Sequence, residues 1–196
     1  MYDVVIVGGG PGGYASALYA HNFGLAVALV EKEQVGGTCL LRGCIPAKTW
    51  LKTAEVYTTV KRAADFGVNV EEPTIDWPAA LDRKNKVVDG LVRGLSGLLK
   101  ARGVDVVDGM GRLAAGGVEV TATDGGRQRL EARNVIVATG SKPRAVPGYD
   151  FDGNRVVSSR EALDWTERPQ RVAIIGAGAI GCEFASLLGD AGSEVH

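Results

Sequence analysis

No run of apolar residues in this 196-residue chain approaches the roughly 18 that a membrane span needs. Neither charge is in excess: 22 Lys and Arg face 23 Asp and Glu, for a net charge of −1. That argues against a nucleic-acid binder, which usually shows a basic excess, and against a disordered acidic or basic tail. Met1-Tyr2-Asp3 leads straight into the apolar Val4–Val7, with no basic leader region, so no signal peptide and a cytoplasmic location are expected. Cysteine and histidine are scarce, at three and two residues. His21 and His196 stand at no zinc-ligand spacing from Cys39 and Cys44, so no metal is expected. Glycine, in contrast, is abundant: 28 of 196 residues, twice the usual share of about 7%. No collagen period and no low-complexity tract accounts for it. The length suits one domain and a fraction of a second, enough to hide about 70% of the unfolded surface.

The positions of the glycines are informative. Val4–Val7 is a continuous β-branched run, suited to a strand buried on both faces of a parallel sheet. It enters Gly8-Gly9-Gly10-Pro11-Gly12-Gly13, then an alanine-rich helical stretch to about Asn22 that Gly24 stops. A second strand, Leu25–Val30, ends at Glu31, completing a βαβ unit. The same pattern returns 168 positions later. Val4, Ile6, Gly8, Gly10, Gly13, Ala17, Gly24 and Val27 match Val172, Ile174, Gly176, Gly178, Gly181, Ala185, Gly192 and Val195. The counterpart of Glu31 would fall at position 199, so the second copy is expected to be cut short. Between the copies, 48–65 and 78–100 read as helices, and Val104–Val107, Val118–Thr123 and Asn134–Ala138 as short strands. Residues 141–157 read as a linker, and Ser158-x-x-Glu161 as a capping box. The expected domains are 1–145, a linker with a short helix over 146–168, and the start of a second nucleotide domain over 169–196. The fold class is α/β: a Rossmann-like parallel sheet with helices and a small β-meander, then the start of a second Rossmann-like unit.

In Gly8-x-Gly10-x-x-Gly13 the first glycine allows the tight turn, the second admits a pyrophosphate and the third lets helix and strand pack closely. The helix N-terminus offers N–H groups and partial positive charge to phosphates. Glu31, 18 residues past Gly13, stands where a carboxylate would accept a ribose hydroxyl. Gly176-x-Gly178-x-x-Gly181 has the same context, so two dinucleotides are expected.

Cys39 and Cys44 flank Leu40-Leu41-Arg42-Gly43. A close pair in an unexported chain more often performs redox or metal chemistry than holds structure. In a regular helix the Cα atoms of i and i+5 lie roughly 8.6 Å apart, whereas a disulfide tolerates less than about 7 Å. If the two bond, the backbone between them is not ideal helix, and Gly43 and Pro46 supply the means to break it. A disulfide in such a turn is readily reduced, and Arg42 with a nearby helix N-terminus favours thiolate. The other reading is two buried thiols acting as small apolar residues. Cys182 is expected to pack.

Together these residues resemble the pyridine nucleotide–disulfide oxidoreductase family. Gly36-Gly37-Thr38-Cys39-x4-Cys44-Ile45-Pro46-x-Lys48 is similar to the family's redox-disulfide motif. Cys44–Lys48, Val135–Ser141 and Gly176–Ser186 resemble the branch that oxidises dihydrolipoyl groups. The resemblance covers the whole chain and implies a set of roles. FAD would lie on Gly8, Gly10, Gly13, Glu31, Lys32, Gly37, Thr38, Lys48, Gly111, Thr139, Gly140 and Ser141. NAD would lie on Gly176, Gly178, Ala179, Ile180 and Gly181. Cys39 would exchange with the substrate dithiol, and Cys44 would be the sulfur beside the flavin, with Lys48 nearby and paired with Glu183. Relatives commonly carry Asn-Val where this chain has Leu41-Arg42, which bears on redox tuning. The resemblance further implies a lipoyl-bearing carrier protein of a 2-oxo acid dehydrogenase complex as partner, and a homodimer for the complete protein. A base histidine would lie in a C-terminal interface domain. Neither His21 nor His196 matches it, so this stretch alone is expected to be inactive. Two other readings stand beside this one: a glutathione- or mercuric-reductase-like enzyme, and a non-catalytic FAD-binding fragment.

Overall fold

The structure is a computed structural model that describes all of residues 1–196. The chain forms two compact units, residues 1–41 with 89–143 and residues 42–88 with 144–196.

The first unit is built on β1 (Tyr2–Val7), α1 (Pro11–His21), β2 (Val27–Glu31), α2 (Gly37–Arg42, up to Leu41), β3 (Asp105–Asp108), β4 (Met110–Ala114), β5 (Gly117–Thr121) and β6 (Arg127–Val137). The six strands lie in the order β3-β2-β1-β6-β5-β4. β1 pairs in parallel with both β2 and β6, and β2 with β3. β6 does two jobs. Its first half runs antiparallel to β5, opposing Thr121 to Arg127 and Gly117 to Glu131, and its second half runs parallel to β1, opposing Val7 to Val137. A meander of β4, β5 and β6 is thereby joined to a doubly wound sheet through one strand.

Side chains alternate across a strand, and β1 and β2 are buried on both faces. Val4, Ile6, Val27 and Leu29 pack on one side with Ala17 of α1 and with Leu99 of α4 (Trp77–Ala101). Val5, Val7, Ala28 and Val30 pack on the other with Val118, Val120 and Leu130 of the meander. This is why the strand sequences are uninterrupted apolar runs.

The second unit holds α3 (Cys44–Lys61), the first half of α4, α5 (Ser159–Ala162), β7 (Arg171–Val172), α6 (Ala179–Asp190) and β8 (Glu194–Val195). Its core joins Trp50, Ala54, Trp77, Ala80 and Leu163 to Phe184, Leu187, Leu188 and Ala191. The indoles of Trp50 and Trp77 stack with centroids 4.3 Å apart. Three side chains grip three successive residues after α5. Trp50 Nε1 donates to the Leu163 carbonyl (3.1 Å), Lys84 Nζ pairs with Asp164, and Trp77 Nε1 donates to the Trp165 carbonyl (2.9 Å). The Ser158 box forms as expected: Glu161 accepts from the Ser158 N–H at 2.8 Å, and Ser158 Oγ accepts from the Arg160 N–H at 3.2 Å.

Several elements differ from expectation. The helix expected over 48–65 starts at Cys44, because Pro46 is tolerated in a first helical turn. The strand expected over Asn134–Ala138 is the end of the 11-residue β6, and β4 was not foreseen. Both unforeseen stretches, Met110–Ala114 and Arg127–Ala132, are rich in arginine and poor in β-branched residues, so the cross-strand ladder rather than local propensity makes them strands. In the second unit, residues 42–88 pack with 144–196 because α3 and α4 bury their tryptophans against α6 and Leu163.

Candidate functional site

In the first unit, β1 delivers the chain into a loop that only glycine can form. Gly8 has φ +111°, and a Cβ on it would sit 2.2 Å from the Ala138 carbonyl oxygen at the end of β6. A Cβ on Gly13 would sit 1.7 Å from the Gly8 carbonyl oxygen. Gly10 differs: its Cβ would meet Gly37 Cα at 3.6 Å, an ordinary contact. Gly10 caps α1 without a side-chain bond, so the helix N-terminus keeps donors available for an anion. The first and third glycines are thus demanded by the backbone itself, and the second leaves the loop's surface clear. Glu31 ends β2 beside the loop, its carboxylate accepting the Gly9 N–H at 2.6 Å and the Glu33 N–H at 2.9 Å. These two bonds hold it on the loop.

The segment bearing the first cysteine is sewn to the same loop. The Gly36 N–H donates to the Gly9 carbonyl at 2.8 Å. Gly37 has φ +58°, and a Cβ there would lie 2.4 Å from Gly10 Cα. Thr38 and the half-buried Cys39 follow in α2. Gly9 was missing from the residues expected to matter, and Gly36 was named only as part of the cysteine motif; the signal for both was their place in the Gly8–Gly10 run and the Gly36-Gly37 pair.

α2 ends at Arg42, Gly43 takes φ −146° and ψ −111°, and α3 begins at Cys44. The helix is therefore broken between the cysteines, as a bond between them requires. Cys44 and Cys182 are exposed. In the second unit, the exposed Cys44 precedes Lys48 by four residues on α3, and so shares a helix face with it. Lys48 Nζ makes an ion pair with Glu183 of α6, 135 residues away. Cys182 does not pack. It is exposed, with its sulfur 3.5 Å from the Ala177 carbonyl, because the buried face of α6 is Phe184, Leu187, Leu188 and Ala191 and position 182 points off it.

The sequence repeat is also a repeat of conformation. Gly176 has φ +112° against +111° at Gly8, and Gly178 has ψ 177° against −176° at Gly10. A Cβ on Gly181 would stand 2.0 Å from the Gly176 carbonyl oxygen. β7 pairs in parallel with β8 through Val172 and Val195, the register of Val4 and Val27 shifted by 168. Ala179 and Ile180 open α6 and are exposed.

The other expected site residues lie as follows. Lys32 is exposed next to Glu31. Thr139, Gly140 and Ser141 are exposed just past β6, with Gly140 at φ +73°. Gly111 has a packing reason of its own: on β4, its Cβ would press on the methyls of Val7, Val118 and Val30 at 2.9–3.2 Å.

A strand, a tight glycine turn and a helix closing on a second strand that ends in an acid make up a dinucleotide-binding unit of the Rossmann type. A cysteine helix joined to that turn narrows the class to nucleotide-linked redox proteins acting through sulfur. The chain belongs to the pyridine nucleotide-disulphide oxidoreductase family, which matches residues 2–196. It is 45% identical over 196 residues to the dihydrolipoyl dehydrogenase of Chlamydia trachomatis, covering 99% of this chain and 42% of that protein. It is 44% identical to that of Bacillus subtilis, covering 99% and 43%. Among solved structures, LpdA of Mycobacterium tuberculosis superposes with a TM-score of 0.90 at 29% identity, covering 98% of this chain and 43% of that one. The HOCl-induced flavoprotein disulfide reductase RclA of Escherichia coli gives 0.82 at 30% identity, covering 99% and 41%. The chain therefore spans well under half of these relatives. No helix is long and apolar enough to cross a membrane.

Proposed function

We propose that the chain is the flavin- and sulfur-bearing portion of a dihydrolipoyl dehydrogenase. The observation that carries this is the Gly36–Gly37 step, which fastens the Thr38–Cys39 helix to the Gly9–Gly10 turn. FAD fits the residues present: the open Gly10 surface and uncapped α1 N-terminus suit its pyrophosphate, and Glu31 suits its adenosine ribose. Lys32, Gly111, Thr139, Gly140 and Ser141 would line the rest of its site. NAD would take the second loop, Gly176–Gly181.

FAD, when bound, supplies two-electron carriage between sulfur and the pyridine nucleotide. The chain's own residues do the remainder. In the oxidised state Cys39 and Cys44 form a disulfide. A dihydrolipoyl dithiol, carried by a lipoyl-bearing protein of a 2-oxo acid dehydrogenase complex, attacks Cys39 as thiolate, and Cys44 leaves as thiolate. The second substrate sulfur then displaces Cys39, releasing a cyclic disulfide; two electrons now reside on the cysteine pair and two protons have been shed. Lys48, held by its ion pair with Glu183, stands one helical turn from Cys44 on α3.

The test is NADH formation from dihydrolipoamide by the homodimeric complete protein, lost in Cys39→Ser and in Cys44→Ser. Persistence in either variant would refute the scheme. The chain by itself should not turn over: His21 lies on α1, and His196 is paired with Glu194 at 2.9 Å, so neither is placed as the base. The likeness to RclA favours a second reading, a reductase that spends NADH or NADPH on another disulfide. That reading predicts nucleotide oxidation with disulfide substrates and little activity with dihydrolipoamide.

A further inference from the structure

We propose that the outer face of the β4–β5–β6 meander is a binding groove for an oligophosphate anion, separate from both glycine loops. The meander turns Val118, Val120 and Leu130 into the core, so the alternate residues face outward. On that face the register sets Arg112 opposite Glu119, Glu119 opposite Arg129, and Thr121 opposite Arg127. These five residues line a groove of about 930 Å³, with Lys32 at its border.

Three arginines thus surround one carboxylate, with Lys32 at the border paired to Glu33, on a chain whose net charge is −1. The carboxylate does not neutralise them: Glu119 forms no ion pair, and neither Arg112 nor Arg127 has an acidic partner. Arg129 is fixed by donating to the Ala115 carbonyl. Guanidinium groups are planar forks that match phosphate oxygens two at a time. Adjacent strands are about 4.8 Å apart, which puts Arg112 and Arg129 roughly 10 Å from each other along the hydrogen-bonding direction, with Arg127 about 7 Å further along its strand from Arg129. That spread suits a ligand with several linked phosphates better than a single one, and Thr121 adds a hydroxyl donor.

The test is calorimetric titration of the chain with sodium tripolyphosphate at low salt. The proposal predicts a saturable site that weakens as salt is added, and at least tenfold weaker binding in R112Q/R127Q, whose melting temperature should stay at the wild-type value because both side chains are exposed. Absence of binding overturns it. So does equal affinity in the double variant, which would put the anion on a glycine loop. Equal binding of a polyglutamate peptide of matching charge also overturns it, since the face would then select charge and not phosphate.

Discussion

At the scale of single residues, the three glycines of the first loop are not equivalent, and substitution separates their roles. Gly13→Ala would drive a methyl to 1.7 Å from the Gly8 carbonyl oxygen and push α1 off β1. It should cost about 3 kcal/mol or more, read as a lowered midpoint in chemical denaturation. Gly10→Ala meets only a 3.6 Å contact and should stay within about 1 kcal/mol of wild type. If FAD binds as proposed, its loss should appear instead as at least tenfold weaker FAD binding in a fluorescence titration, because the methyl would occupy the phosphate approach. The role of Gly13 was legible in the sequence because its clash is with Gly8, five residues away, whereas the Ala138 carbonyl that crowds Gly8 is 130 residues distant. The Lys48–Glu183 pair was not legible that way. Its partners are 135 residues apart, and only the resemblance to a family joined them. Cys182 shows the converse: helical spacing relative to Phe184 and Leu187 would have placed it off the apolar face, had that face been drawn.

At the scale of elements, α5 and the residues after it are held from several sides. Lys84 is 5% exposed in its side chain while its partner Asp164 is 68% exposed. Asp164→Ala leaves a buried ammonium without its acid, and should cost about 1–3 kcal/mol. Lys84→Met removes the charge while keeping the apolar stem, and should cost less, since no charge is then stranded. Equal losses in denaturant melts would contradict this ordering. The capping box gives a pH signature. The Ser158 hydroxyl, foremost, with the Ser158 backbone N–H and Arg160, holds the Glu161 carboxyl below its usual value of 4.5, against a smaller opposing effect of burial. A lowered folded-state value means that the contribution is present above about pH 4.5 and fades as acid titrates the folded carboxylate. Glu161→Gln should therefore narrow the gap to wild type below pH 4, and leave it open at pH 7, in thermal melts across that range. The apolar runs of β1 and β2 announced themselves as strands. β4 and the start of β6 did not, because their outward residues are arginines and their ladder partners lie elsewhere in the sequence.

At the scale of the whole molecule, the same βα design occurs twice, with matching glycine dihedrals and matching strand register 168 residues apart. One copy carries the cysteine helix; the other carries the glutamate that holds Lys48. In the proposed function Cys39 and Cys44 are a redox couple and Cys182 is not part of it. Peptide mapping by mass spectrometry after incubating the reduced chain with lipoamide tests this directly, because Arg42 allows tryptic cleavage between the two cysteines. Peptides Glu33–Arg42 and Gly43–Lys48 should be recovered joined by a disulfide, with the Cys182 peptide unlinked. Peptides that remain unlinked, or a bridge that includes Cys182, would contradict it.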